Sequence, residues 1–185
     1  MAEAPRLECG WDDLRHVYRR SIEDLAALRF YPEVVPGTES LPAAGLPWFM
    51  ALFGRDSAIT SYQALPFVPE LAATTLRALA ARQATDRDDF RDAEPGKILH
   101  ELRFGELTHF RERPQSPYFG SADSTLLFLI LLDEYERWTG DTRLLRELER
   151  PAGWTGCSTA SGTTGPRCTA ISGTVVCTPA SRSTW

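Results

Sequence analysis

Lysine is almost missing from this chain. Lys97 is the single one among 20 basic residues, which face 25 acidic ones and leave a formal net charge of −5. Nucleic-acid binding needs clustered Lys and Arg on phosphates, so this balance argues against nucleic acid as the main partner. Long apolar runs are missing too. The longest, from Leu126 to Leu132, falls far short of the ~20 residues that a membrane-spanning helix needs. The opening stretch, MAEAPRLECGWDDLR, lacks the apolar centre of a signal peptide. A cytoplasmic protein with no membrane partner is expected. Cysteine is scarce: Cys9 stands alone, Cys157, Cys168 and Cys177 fall near the end, and none makes a CxxC pair. That argues against a disulfide framework and against a thiolate metal site, and neither a metal nor a cofactor is expected. No self-similar period is found, which speaks against a repeat solenoid. Runs of alternating apolar and polar residues are absent as well, so an extended sheet is not expected.

Two regions read differently. Residues 1–150 have the composition of an ordinary domain. Residues 151–185, PAGWTGCSTASGTTGPRCTAISGTVVCTPASRSTW, contain no Leu, Asp, Glu, Lys, Phe or Tyr. They show neither helical nor strand periodicity over a useful length, which predicts a disordered low-complexity tail. The abruptness of the change also fits a translated frameshift.

The first region is patterned for helices. Trp11, Leu14, Val17/Tyr18, Ile22, Leu25 and Leu28 recur at spacings of three and four, which predicts an amphipathic helix over 11–29. Pro32, Pro36, Pro42 and Pro47 with Gly37 and Gly45 make 30–54 a loop. Asp56 or Ser57 can cap a helix to about Leu65, and Pro69 suits the first position of the next. Val68, Ala72, Thr75/Leu76, Leu79 and Gln83 give that helix its apolar stripe. After a long connection over 86–121, Ser121 or Asp123 can cap a helix to Trp138 that Gly140 closes. A last helix starts at Asp141 or Thr142 and reaches Arg150. The helix beginning near 122 carries apolar residues around its whole circumference and is expected to be buried all round. The class is all-α with unusually long loops, and such loops inside a compact domain are usually functional.

One loop poses a chemical question. Trp48, Phe49, Met50, Leu52 and Phe53 are followed at once by Gly54, Arg55, Asp56 and Ser57. A core accepts the first group and rejects the second. Either the aromatic residues wall a pocket with Arg55 and Asp56 on its floor, or the segment is buried loop with an incidental ion pair.

Four segments decide how this is read. They are AAGLPWFMALFGRDS at 43–57, EPGKILHELRFGE at 94–106, YFGSADSTLLFLILL at 118–132 and YERWTGD at 135–141. In that order the chain resembles the bacterial glycogen-debranching-type amylo-α-1,6-glucosidases, which belong with the (α/α)6-barrel glycosidases that include glucoamylase. The resemblance spans about residues 11–148. It implies a partial six-hairpin toroid over 1–150, with an α-glucan or oligosaccharide as partner. It also implies that Arg55 and Asp56, at the start of an inner helix, hold hydroxyls of a terminal glucose. Trp48, Phe49 and Phe53 then supply the apolar wall that a sugar face needs. Glu94 and Lys97 are further candidates for the pocket lining. His100, Glu101 and Arg103 lie in the same charged loop, where His100 reads more readily as structural. Tyr118 and Asp123 enter the apolar helix at the pocket end, Asp123 doubling as a candidate cap.

Glycoside hydrolysis needs two carboxyl groups across the scissile bond, ~6.5–9.5 Å apart in an inverting enzyme. The resemblance places both in later hairpins than those of residues 1–150, so no catalytic residue is assigned and the stretch alone is expected to be inactive. An open arc of hairpins also leaves an apolar flank, through which self-association is expected. The alternatives are an active enzyme of unusual brevity, a non-catalytic helical binding module or scaffold, and a different α/α toroid with DRDD at 86–89 as its acidic cluster.

Overall fold

The computed structural model describes residues 4–30 and 40–149, together with the backbone of 166–171 and 174–179. The described residues are mostly helical. The order is α1 (Asp12–Ala27), β1 (Arg29–Phe30), β2 (Leu41–Pro42), β3 (Leu52–Phe53), α2 (Gly54–Ala64) and α3 (Pro69–Ala80). Then follow β4 (Glu101–Leu102), α4 (Glu106–His109), α5 (Ser124–Thr139), α6 (Thr142–Glu149), β5 (Pro166–Ile171) and β6 (Thr174–Pro179). No helix among the described residues is long and apolar enough to cross a membrane.

The centre of the molecule is α3 rather than α5. Every residue from Leu71 to Ala80 is buried except Arg77. Pro69 occupies the first turn as its fixed φ predicts. Against α3 and α5 lies α2, whose buried face is Gly54, Ser57, Ala58, Ser61 and Ala64. All five are small and share one face of the helix, so the helix backbones can approach closely. Where they meet, the Ser61 and Thr75 hydroxyls, both fully buried, satisfy each other at 2.9 Å. Leu71, Leu76, Leu79, Leu131 and Leu144 are nearly inaccessible. Each such side chain contributes about 1.5–3 kcal/mol through burial.

Several expectations change in detail. The second helix starts at Gly54, ahead of both expected caps, Asp56 and Ser57. Its first N–H needs no local side chain because it donates to His100 O at 2.9 Å. The Ser57 hydroxyl instead donates to Pro42 O at 3.1 Å. Gly140 does close α5, in the left-handed conformation at φ 71°. The expectation that α5 is buried all round is corrected. Phe128, Leu131, Leu132 and Tyr135 face the core, while Leu126 (43%) and Ile130 (52%) are exposed on the opposite side, where no described element covers them. The stripe of α1 is only partly covered. Trp11 and Val17 are exposed, and the helix is tied in through Leu25, which packs on Ala64, Val68 and Leu71, and through the Tyr18–Phe67 ring contact.

The disordered tail expected at 151–185 is corrected in one part. β5 and β6 pair antiparallel from Pro166↔Pro179 to Ile171↔Thr174. Ile171 and Val175–Val176 give these segments enough extended propensity for a short hairpin that composition alone concealed. The loop expected over 30–54 is corrected where Leu41–Pro42 and Leu52–Phe53 form short strands; its residues 31–39, and the rest of the tail, lie outside the described residues.

Candidate functional site

Three distant segments converge beside the N-terminal ends of α2 and α5. β3 pairs with β4, placing Leu52 opposite Leu102 and Phe53 opposite Glu101. Tyr118 then pairs with Glu101 on the other side, its N–H donating to Glu101 O at 3.0 Å and its carbonyl accepting from His100 N at 2.7 Å. Gly54 makes this convergence possible. A Cβ there would overlap the Leu99 carbonyl oxygen and lie 3.0 Å from Ser124 Oγ. The first turns of α2 and α5 are therefore held together over a residue with no side chain.

The charged residues follow from that placement. Arg55 comes immediately after Gly54, and its guanidinium stands 3.6 Å from Asp56 Oδ2 and 3.5 Å from Asp123 Oδ2. Asp123 occupies the N-cap position of α5 but makes no capping hydrogen bond. The Ser124 N–H is instead accepted by Ser121 Oγ at 3.3 Å. The Ser121 hydroxyl donates in turn to Asp123 Oδ1. The Asp123 carboxylate thus points toward Arg55 rather than onto its own helix. All three charged side chains are between a third and a half exposed, so they are held in place yet open to solvent.

The Asp123 carboxyl is held below the usual carboxylate range, first by the Ser121 hydroxyl and then by the positive charge of Arg55. A folded-state value lower than the unfolded one of about 3.9 contributes stability that is complete above that value. It is lost as pH falls through the depressed folded value. The Asp123 carboxyl carbon, followed by NMR, should titrate below the ordinary aspartate midpoint, and Ser121→Ala should move it upward. A midpoint at or above the ordinary value in the unsubstituted chain would contradict this. A carboxyl so held is ionised at neutral pH and makes a poor general acid.

The other predicted residues take different places. Tyr118 donates its hydroxyl to Asp92 Oδ2 at 2.7 Å, and that carboxylate keeps the phenol protonated above its ordinary range. Lys97 Nζ donates to the Asp92 carbonyl at 3.0 Å. Lys97 and Tyr118 are thus brought together on Asp92, whose backbone sits at φ 52°. Glu94 is exposed and joins this group through its carbonyl, which accepts the Lys97 N–H at 3.0 Å. His100 lies edge-on to Phe53 at 5.9 Å and to Tyr118 at 6.1 Å, and its Nδ1 is buried without a protein partner. Phe53 is itself buried at 7% exposure, behind Phe49 and His100. The exposed aromatic area belongs to Trp48, at 77%, and Phe49.

Three contributors escaped the sequence reading as site residues: Ser121, Asp92 and Arg103. The local pattern around Ser121 marks it only as a candidate cap. Nothing in the spacing of Asp92 distinguishes it from other loop aspartates. Arg103 donates to Glu101 Oε2 at 3.0 Å and to Trp48 O at 3.1 Å. The Arg55 group offers charged donors and acceptors, and β3 links it along the chain to the exposed aromatic loop; a polyol with an apolar face uses both chemistries. The acidic run at 86–89 is used locally, Arg91 pairing with Asp88 at 2.7 Å and Arg87 with Asp89 at 3.2 Å. No group of three or more His, Cys, Asp or Glu able to hold a metal occurs among the described residues. Compared with protein-family models the chain matches none, and no curated protein matches it.

Proposed function

We propose that this region is the sugar-holding end of an α-glucan-acting glycoside hydrolase of the amylo-α-1,6-glucosidase type, in which Arg55, Asp56 and Asp123 bind hydroxyls of a glucosyl residue. One observation carries the reading. Arg55 stands between two carboxylates, one from the start of α2 and one from the start of α5, and all three remain a third to a half exposed to solvent. An ion pair meant only for stability gains little at such exposure. A triad meant for hydroxyls needs that accessibility. Asp123 is kept ionised, which suits it to accepting from sugar hydroxyls and not to protonating a leaving group, and Glu101 is engaged by Arg103. By the same resemblance, proton donation and water activation belong to later hairpins than those of residues 1–150. The same reading places a further hairpin, or a second copy of the chain, over exposed Leu126 and Ile130.

Calorimetric titration with isomaltose and panose tests the proposal. Binding is expected in the unsubstituted chain, with no hydrolysis. Arg55→Ala should weaken it by about tenfold or more, the effect of losing hydrogen bonds from a charged donor. Absence of binding, or binding indifferent to Arg55, would sink the proposal. Turnover abolished by replacing a described carboxylate would overturn the division between holding and cleaving.

A further inference from the structure

We infer that Arg103 is the positioning residue of this site: it fixes the 44–50 loop so that Trp48 and Phe49 stand as a preformed wall for the apolar face of a glucosyl ring. The inference rests on the sugar-binding reading above. The loop closes on itself through Gly45 and Phe49, whose amides and carbonyls pair, with the Phe49 N–H to Gly45 O bond at 3.0 Å. Its tip, Leu46, Pro47 and Trp48, stands exposed. No side chain from 44 to 50 is buried, and the loop's ring contact with the core is Phe49 edge-on to Phe53.

Arg103 supplies the polar anchor of the tip. One edge of its guanidinium is fixed by Nε to the carboxylate of Glu101, a buried residue of β4. Another nitrogen reaches Trp48 O. Its carbon lies 5.9 Å from the centre of the Phe49 ring and 5.4 Å from that of Phe53. Strand, loop tip and aromatic pair thus meet on one planar fork. A lysine has the charge but not the fork, and cannot serve these partners together. Stacking adds most to affinity when the platform is already in place, because ordering an exposed loop on binding offsets the gain.

A simpler role is neutralisation of Glu101, and Arg103→Lys separates the two because it keeps the charge. Amide exchange at Gly45 and Phe49 and panose affinity are to be measured in the whole chain, in Arg103→Lys and in Arg103→Met. Both variants are expected to exchange faster at those amides and to bind panose about tenfold more weakly. Restoration of both readouts by Arg103→Lys would leave only the neutralising role and overturn the inference. Trp48→Ala, at an exposed position, covers the case in which the arginine variants do not fold; unchanged panose affinity there also overturns it. Lack of panose binding in the unsubstituted chain brings down the sugar-binding reading and the inference together. Binding that survives Arg103→Lys brings down the inference alone.

Discussion

Gly54→Ala is expected to lower stability by about 2 kcal/mol and to break the contact between Arg55 and Asp123. Two effects of opposite sign compete. Alanine favours a helix over glycine by up to about 1 kcal/mol, less at a first turn. Against this, the new methyl overlaps the Leu99 carbonyl oxygen and presses on Ser124. The first obstacle is backbone and cannot rotate away, so β4's approach or the α2–α5 packing must yield. Overpacking of this kind costs about 1–3 kcal/mol, and it outweighs the propensity gain. Because Arg55 is the next residue, the displacement passes directly into the site. Urea denaturation should show an earlier midpoint at unchanged slope, and sugar affinity should fall in parallel. A variant as stable as the parent would mean that the three segments are not in close contact at Gly54.

The second large effect separates two neighbours on one helix. Leu131 is 1% exposed within α5, and Ile130 is 52% exposed. Leu131→Ala removes a buried side chain and leaves a cavity, at a cost of about 2–5 kcal/mol. Ile130→Ala removes surface that water already reaches, and should change stability by less than about 1 kcal/mol. Net stabilities of domains are only about 5–15 kcal/mol, so the first change threatens the fold and the second does not. Thermal melts of the two variants at several protein concentrations decide the matter. If Ile130→Ala proves equally damaging, and more so as concentration rises, then that face is covered by another copy in solution.

How much of this was legible in the sequence depended on where the decisive partner lay. Pro69 and Gly140 act within their own helices, and the α3 start and α5 end were read correctly from them. The α2 start was misread because its first N–H finds His100 O, a partner 46 residues away that no local cap pattern encodes. Burial around α5 was overstated because periodicity reports how apolar a face is, not whether anything covers it. Arg55 stands out as a charge directly after an apolar loop and Asp123 as a candidate cap of an apolar helix; the resemblance alone joins them in one site, and the structure places them in contact. Arg103 was noticed only as part of a charged loop. Its significance comes from a backbone carbonyl and two rings 50 or more residues earlier, and side-chain spacing carries no trace of them.

The placement of the Arg55–Asp123 contact also bears on the order in which the chain assembles. The hydroxyl pair joining α2 to α3 links residues 14 apart, whereas the Arg55 and Asp123 side chains are 68 apart. Closing the longer loop costs about 1.4 kcal/mol more in chain entropy. That cost precedes any return from packing α5. A helical hairpin of α2 and α3 therefore forms at lower entropic cost than the three-helix unit, and it presents Arg55 with only the adjacent Asp56 for company. The complete charge triad belongs to the chain only once its long connection has closed.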